Sequence, residues 1–533
     1  MRGPASLLYG NNALGGVVNV ISNDIPKSIP ASLEGYVAAQ AESVNPGGGF
    51  SGSVTMPLTQ TLAFAVRGSG RAINDMRTGG DGELANTDFR GLNGTVGFGY
   101  IRSHASAGAA YRINDFSYGL ASERNDPEAG IRIQGVRHEV TGRGDLLLEH
   151  AAITQAELDV TAQWYRHDEI EPGGAVGTTF ELKTQTANLT ARTRAGNLQG
   201  AAGIAGLFKQ YMPKGEEALT PAANSSNASA FIFQELPLRN GDTERSPHLE
   251  AGARYDFYYI RTREGGDRFG PRRTRTFQNI SGSIGLNVPF NENVAASISF
   301  ARAFRAPTVE ELFSNAFHAA LGSFDVGNPD LEPETNHGID AVLRAESRAV
   351  VAQVSAYYNR INNYIAPNIT GDTAIVDEDG ETMSMPLNIF RQEDAVLRGI
   401  EVEIEASITS RLVVDAMAEA IRATFVGGEP LPFMPAAELG AGLRWDNGRF
   451  FLGGDVRHTF AQDRVPVNEL AVGDYTLVDL STGLTLSRAG RTHLITLRAD
   501  NIFDVLYREA TSRIKDFAAS PGRNLTLVYR VIF

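Results

Sequence analysis

The chain has 533 residues, 42% of them hydrophobic, with 56 glycines, no cysteine and a formal net charge of −14. The lack of cysteine excludes disulfides and thiolate metal sites, the acidic balance argues against nucleic acid, whose phosphates require a basic face, and no window reaches the roughly 18 consecutive apolar residues of a membrane-spanning helix. Length alone leaves the domain count open, because barrels and repeats run long as single units.

Taken in order, the chain opens on RGPASLLYGNNALGGVVNVI (Arg2 to Ile21), a Gly- and Asn-rich stretch that closes on Val17, Val18, Val20 and Ile21. Gly10, Gly15 and Gly16 are not followed by the Lys-Ser/Thr pair and helix of a phosphate cradle. A tight turn entering a strand is expected instead. No basic and apolar export segment leads the chain, so a fragment, or an export signal outside this sequence, is expected.

After a short linker containing Pro26, one unit recurs. Leu158, Val160, Ala162 and Trp164 alternate with Asp159, Thr161 and Gln163; Leu249, Ala251, Ala253, Tyr255 and Phe257 with Glu250, Gly252, Arg254 and Asp256. Ile400, Val402, Ile404, Ala406 and Ile408 alternate with Glu401, Glu403, Glu405 and Ser407, and Leu439, Ala441, Leu443 and Trp445 with Gly440, Gly442 and Arg444. A two-residue period means strands with one apolar face. About 22 such segments, commonly of about ten residues or more, exceed the roughly seven to nine shorter strands of a soluble sandwich. The expected fold is therefore an all-β transmembrane antiparallel β-barrel of about 22 strands.

The connections carry an independent signal. Short turns near 57–60, 102–103, 150–152, 289–293, 347–349, 409–411, 446–448 and 488–490 alternate with longer polar connections near 75–88, 117–130, 166–177, 213–227, 263–273, 306–333, 368–385, 427–435, 461–473 and 503–522. In an up-and-down barrel every second connection lies on one rim, so short turns mark the periplasmic rim and long loops the outer one. Tyr255, Phe257, Tyr358, Phe450 and Phe451, near segment ends, suit interface girdles. The final strand, NLTLVYRVIF (Asn524 to Phe533), sets Leu525, Leu527, Tyr529, Val531 and Phe533 against Asn524, Thr526 and Arg530.

Several words resemble TonB-dependent outer-membrane receptors. The opening RGPASLLYGNNALGGVVNVI resembles the end of their plug domain. AFRAPTVEELF with GNPDLEPET (Ala303 to Phe313, Gly327 to Thr335) resembles their mid-barrel signature, and NIFDVLY with PGRNLTLVYRVIF their C-terminal one. The resemblance implies a plug end over residues 1–26, a barrel over 27–533, and partnership with the TonB complex through the plug segment missing here. YRHDEIEPGGAVGTTF (165–180), KGEEALTPAA (214–223), SNAFHAALGSFDVGNPDL (314–331) and IKDFAASPGRN (514–524) are similar to the zinc receptors of that family. The chain departs from that branch at YGLASERNDPEAGIR (118–132), which lacks the histidine cluster those receptors carry there.

The resemblance directs attention to outer-rim ligands. Zinc takes His nitrogen or carboxylate oxygen, and His167, Asp168, Glu169 and Glu171 crowd one rim segment, while His318 and Asp325 share the 306–333 connection. Strand neighbours point oppositely, so His167 and Glu169 converge and Asp168 turns away. The expected metal ligands are His167, Glu169, Glu171 and His318; a solvated loop tip is the alternative. No resident cofactor is expected: zinc or an iron complex would be cargo. A ferric siderophore or haem is the alternative ligand, the siderophore favoured by Arg261, Arg263, Arg268, Arg272, Arg273 and Arg275, and a passive pore is the alternative class. No His-Glu-x-x-His helix or Gly-x-Ser-x-Gly elbow points to an enzyme. The expected setting is the outer membrane, in contact with its lipid, as a monomer, because a closed barrel has no free edge to pair.

Overall fold

The computed structural model describes residues 22–80, 82–122, 125, 130–148, 152–215, 218–239, 246–318, 321–378 and 381–533. Of the expected plug end, residues 1–26, the first 21 lie outside the described residues. Among the described residues one sheet carries 24 strands. Two of them, Asn315–His318 and Ser323–Val326, form a hairpin inside a loop, and the other 22 make an antiparallel wall that closes on itself.

Closure joins the two ends of the chain. The strand Glu34–Glu42 pairs with Asn524–Ile532, setting Val37 opposite Val531. Beyond that ladder, Gly35 and Phe533 exchange both backbone hydrogen bonds, at 2.8 and 2.9 Å. A ring without an edge satisfies every strand's backbone inside hydrocarbon. The alternation read from the sequence is the alternation of the wall: Leu158, Val160, Ile400, Ile404, Leu439, Leu443, Leu525 and Leu527 are all exposed on its outside. So much contiguous apolar surface would drive association in water; facing lipid, it belongs. Arg254 and Asp256, on the inner face, form an ion pair at 2.9 Å and are nearly fully covered.

The described short turns lie on one rim as expected; residues 150–151 of the turn expected at 150–152 lie outside the described residues, and the connection from Pro237 to His248 on that rim is longer. At 488–491 the turn residues Ala489 and Gly490 both have positive φ, 52° and 74°, the left-handed pair that a two-residue hairpin between right-twisted strands requires. The other rim differs from expectation. The connection expected at 368–385 is strand: Val350–Glu378 and Glu381–Thr409 run 29 residues each. The β-branched residues Ile369, Thr373 and Ile375 extend the ladder, across an irregularity at 370–372, where polar neighbours hid it. Likewise 166–177 shrinks to a turn at 171–175 between Ile153–Ile170 and Val176–Ala195. A tilted strand spans the bilayer in about 9–11 residues, so the far ends of these strands stand above it.

Where the described chain begins, it runs along the inner wall. Gly97 and Gly99 face the carbonyls of Asp24 and Pro26, where any side chain would collide. Arg112 pairs with Asp24, and Arg67 donates to the Asn23 carbonyl at 2.5 Å.

Candidate functional site

Above the bilayer, the strand Ile153–Ile170 turns Tyr165, His167 and Glu169 inward. In register, His167 stands opposite Phe180 on one neighbour and Gly135 on the other. Its ring stacks on Phe180 at 4.5 Å and 20°, with Tyr165 at 5.3 Å on one side and Tyr211 beyond Phe180 at 6.1 Å. Asp168 faces outward, as the strand period requires, and its carboxylate accepts from the Thr179 hydroxyl at 2.6 Å and from Arg166.

His318 arrives from the 306–333 connection, whose shape follows from its sequence. Thr308 caps the short helix Val309–Phe313 and Glu311 completes a capping box, a reciprocal arrangement that satisfies two orphan helix donors. Arg305 grips both Glu311 oxygens, at 2.9 and 3.0 Å, and Glu334 at 2.5 Å; Glu334 in turn accepts from the Ile365 amide. The Asn315–His318 and Ser323–Val326 hairpin follows, and its second strand lies parallel to the long strand at Leu387 to Ile389. That contact brings Asn388 to Asp325 at 3.0 Å. Asp325 also accepts from Ser323 at 2.8 Å and lies 2.9 Å from Nδ1 of His318.

His167, Glu169 and His318 therefore meet. With Tyr165, Phe180, Tyr211 and Phe317 they line a cavity of about 250 Å³. Burial pushes the His167 imidazole below its ordinary value, against the pull of Asp168. Burial pushes Glu169 up, opposed by His318. Burial alone would raise Asp325, but hydrogen bonds from His318, Asn388 and Ser323 outweigh it and hold the carboxyl low. An ionised Asp325 accepts the Nδ1 proton of His318, and in the neutral ring this leaves Nε2 with its lone pair. Nδ1 of His167 is buried with no hydrogen-bond partner among the described residues, which leaves it open to an ordered water or a bound group.

Glu171 stands apart. It does not line the cavity, and its carboxylate lies over Gly177 at the turn. Among the described residues no group of three or more His, Cys, Asp or Glu is set to hold a metal ion. Two of the six arginines read as favouring a siderophore are engaged within the protein: Arg275 donates to the Leu331 carbonyl at 2.8 Å and to that of Pro329, and Arg268 to that of Asn315 at 3.0 Å, while Arg261, Arg263, Arg272 and Arg273 are exposed. Both arginines brace the 306–333 connection that carries His318. Sequence reading missed Asp325 as the orienting group, and missed Phe180 and Tyr211 as walls; the His-Asp spacing was visible, the wall was not.

A model of the family described as TonB dependent receptor-like, beta-barrel, matches residues 37–502. The chain is 27% identical over 364 residues to a "Hemin receptor" of Yersinia pestis, covering 63% of this chain and 51% of that protein. It is 26% identical over 330 residues to a "Heme/hemopexin utilization protein C" of Haemophilus influenzae, covering 57% and 43%. The chain spans about half the length of the curated relatives it matches. Among solved structures, "Copper transporter OprC" superposes with a TM-score of 0.81 at 15% identity, covering 96% of this chain and 84% of that one. The FrpB iron transporter of Neisseria meningitidis superposes at 0.75 and 13%, covering 95% and 83%. At such identities these two likenesses speak for the fold.

Proposed function

The chain belongs to the TonB-dependent receptor β-barrel family of the outer membrane, and from that premise we propose that it is a receptor and transporter, not an enzyme, whose ligand is a planar metal complex of the iron-porphyrin class. Residues 1–26 end its plug, residues 27–533 form the barrel, and the TonB complex drives uptake through the plug. The protein works as a monomer surrounded by outer-membrane lipid.

One observation carries the choice of ligand: two imidazoles, His167 and His318, line an aromatic cavity, and among the described residues no group of three or more His, Cys, Asp or Glu is set to hold a metal ion. Zinc asks the protein for three or four ligands. An iron porphyrin brings four in-plane nitrogens and asks for one or two axial ligands, commonly histidine. One edge of its flat, conjugated face suits Tyr165, Phe180, Tyr211 and Phe317, the cavity of about 250 Å³ being too small to enclose the whole ring. His167 and His318 contact the metal, and Glu169, whose carboxyl is pushed up by burial and pulled down by His318, lies beside them. The names of the relatives point the same way. Zinc is the second reading, since Glu169 adds a carboxylate to the two imidazoles.

The test is growth of a Gram-negative strain lacking haem receptors and supplied with this gene. Growth on haemin as sole iron source, abolished by deleting the TonB complex, is expected. Rescue under zinc limitation alone would move the assignment to zinc, and uptake that persists without the TonB complex would make the barrel a passive pore.

A further inference from the structure

Two register rows on the outside of the wall are unlike the rest. In one, Arg302, His337 and Arg360 stand directly opposite one another on the neighbouring strands Val294–Arg305, Glu334–Glu346 and Val350–Glu378. In the row nearer the short turns, Phe300, Ile339 and Tyr358 lead to Arg398 and Arg422 on the next two strands, Glu381–Thr409 and Leu412–Phe425. These residues share a face with Ile298, Leu343, Val354, Ile400 and Ile404, all exposed to lipid.

Height follows from the strand. Ile408 begins the apolar stripe at the short-turn rim, Ile404 and Ile400 continue it, and Arg398 stands ten residues on from Ile408. A spanning strand takes about 9–11 residues, so the cations sit where hydrocarbon gives way to headgroups, level with or above the aromatic pair Phe300 and Tyr358. Arginine is tolerated on a barrel's outer wall at that depth and not deeper.

The ledge is cationic in a chain of net charge −14. Arg360, Arg398 and Arg422 are exposed. Arg360 meets a carboxylate, Asp394, at 3.3 Å; Arg398 and Arg422 form no ion pair among the described residues. Arg302 is held along the wall by Asn279 at 2.5 Å and by the Ile280 carbonyl, and His337 stacks on Phe300 at 6.5 Å. Guanidinium groups match phosphate oxygens with paired donors.

We propose that this ledge binds the phosphates of a phosphorylated lipid in the outer leaflet, whose acyl chains lie on the apolar stripe below. The partner is a lipid because the ledge continues the hydrocarbon-facing surface, where Ile298, Leu343 and Val354 line an apolar groove below it.

The test titrates the purified protein in neutral detergent with diphosphorylated lipid A and counts bound lipid by native mass spectrometry. Folding of each variant is verified by heat-modifiable migration. R398Q/R422Q is expected to lower lipid A affinity roughly tenfold or more, while R102Q, on the lipid face of the opposite rim, leaves it unchanged. Removal of both phosphates from the lipid should weaken wild type to the level of the double variant. Millimolar inorganic phosphate should not compete. Equal retention by wild type and R398Q/R422Q, an equal loss in R102Q, or displacement by inorganic phosphate overturns the proposal.

Discussion

His318 and Asp325 face each other across a short hairpin, Nδ1 to Oδ2 at 2.9 Å, and Asp325 is 3% exposed. The carboxylate is itself fixed by Ser323 and Asn388, so the imidazole is aimed before any ligand arrives. Partners that orient a metal-binding histidine typically matter about 10–100-fold in affinity. Asp325→Asn should therefore weaken haemin binding by roughly that factor while the barrel still folds. Calorimetry on the folded variant decides: an unchanged affinity would show that the pair is only a loop brace.

The His167 ring should titrate low. Its folded value lies below 6.5 because burial favours the neutral form, so its contribution to stability is fully present above pH 6.5 and is lost as pH falls through the lowered value. The neutral ring is also the form that ligates a metal. Ring carbon signals of the labelled protein, followed between about pH 5 and 8, are expected to give a midpoint under 6.5. A midpoint at or above 6.5 would mean that the ring is solvated and the cavity open.

Arg305→Ala should release the His318 loop. The substitution strands Glu334, whose side chain is 2% exposed, and removing one partner of a buried pair costs about 3–5 kcal/mol. Limited proteolysis should cut the variant within 306–333 where wild type resists. Arg305→Ala with Glu334→Leu should regain part of the loss, because the more deeply buried of the two carboxylates is no longer left charged, while Glu311 still loses its partner.

Three other loops are tied by a second buried pair. Lys515 reaches Glu469 at 2.5 Å, with 2% and 5% of the side chains exposed, and Glu469 accepts the Phe433 amide. Lys515→Met should cost about 3–5 kcal/mol locally and appear as faster exchange of the Phe433 amide, with exchange in strand 524–532 unaltered. Uniform acceleration throughout the barrel would contradict a local latch.

How much of this was legible depends on range. The strands were, because Leu158-Val160 or Ile400-Val402 alternate locally and lipid rewards one face. The turn at Ala489-Gly490 was, because backbone sterics are local. The strand extension through Ile369 to Ile375 was hidden: its pairing with 382–389 is a property of two segments, and neither is apolar on one side throughout. His167 and His318 were visible as donors, but the distance between them in sequence concealed that Phe180 and Tyr211 wall the same cavity, and that Arg275 is spent on the carbonyls of Pro329 and Leu331. Glu171 was misplaced because a turn breaks the strand period two residues after Glu169.

The most direct measurement is an absorption titration of the purified protein with haemin, repeated on His167→Ala and His318→Ala, with zinc as competitor. The account predicts a saturable shift of the porphyrin band in wild type, weakened in each single variant and lost in the double one, and indifferent to zinc. An unshifted band, or a shift that survives loss of both histidines, would contradict it.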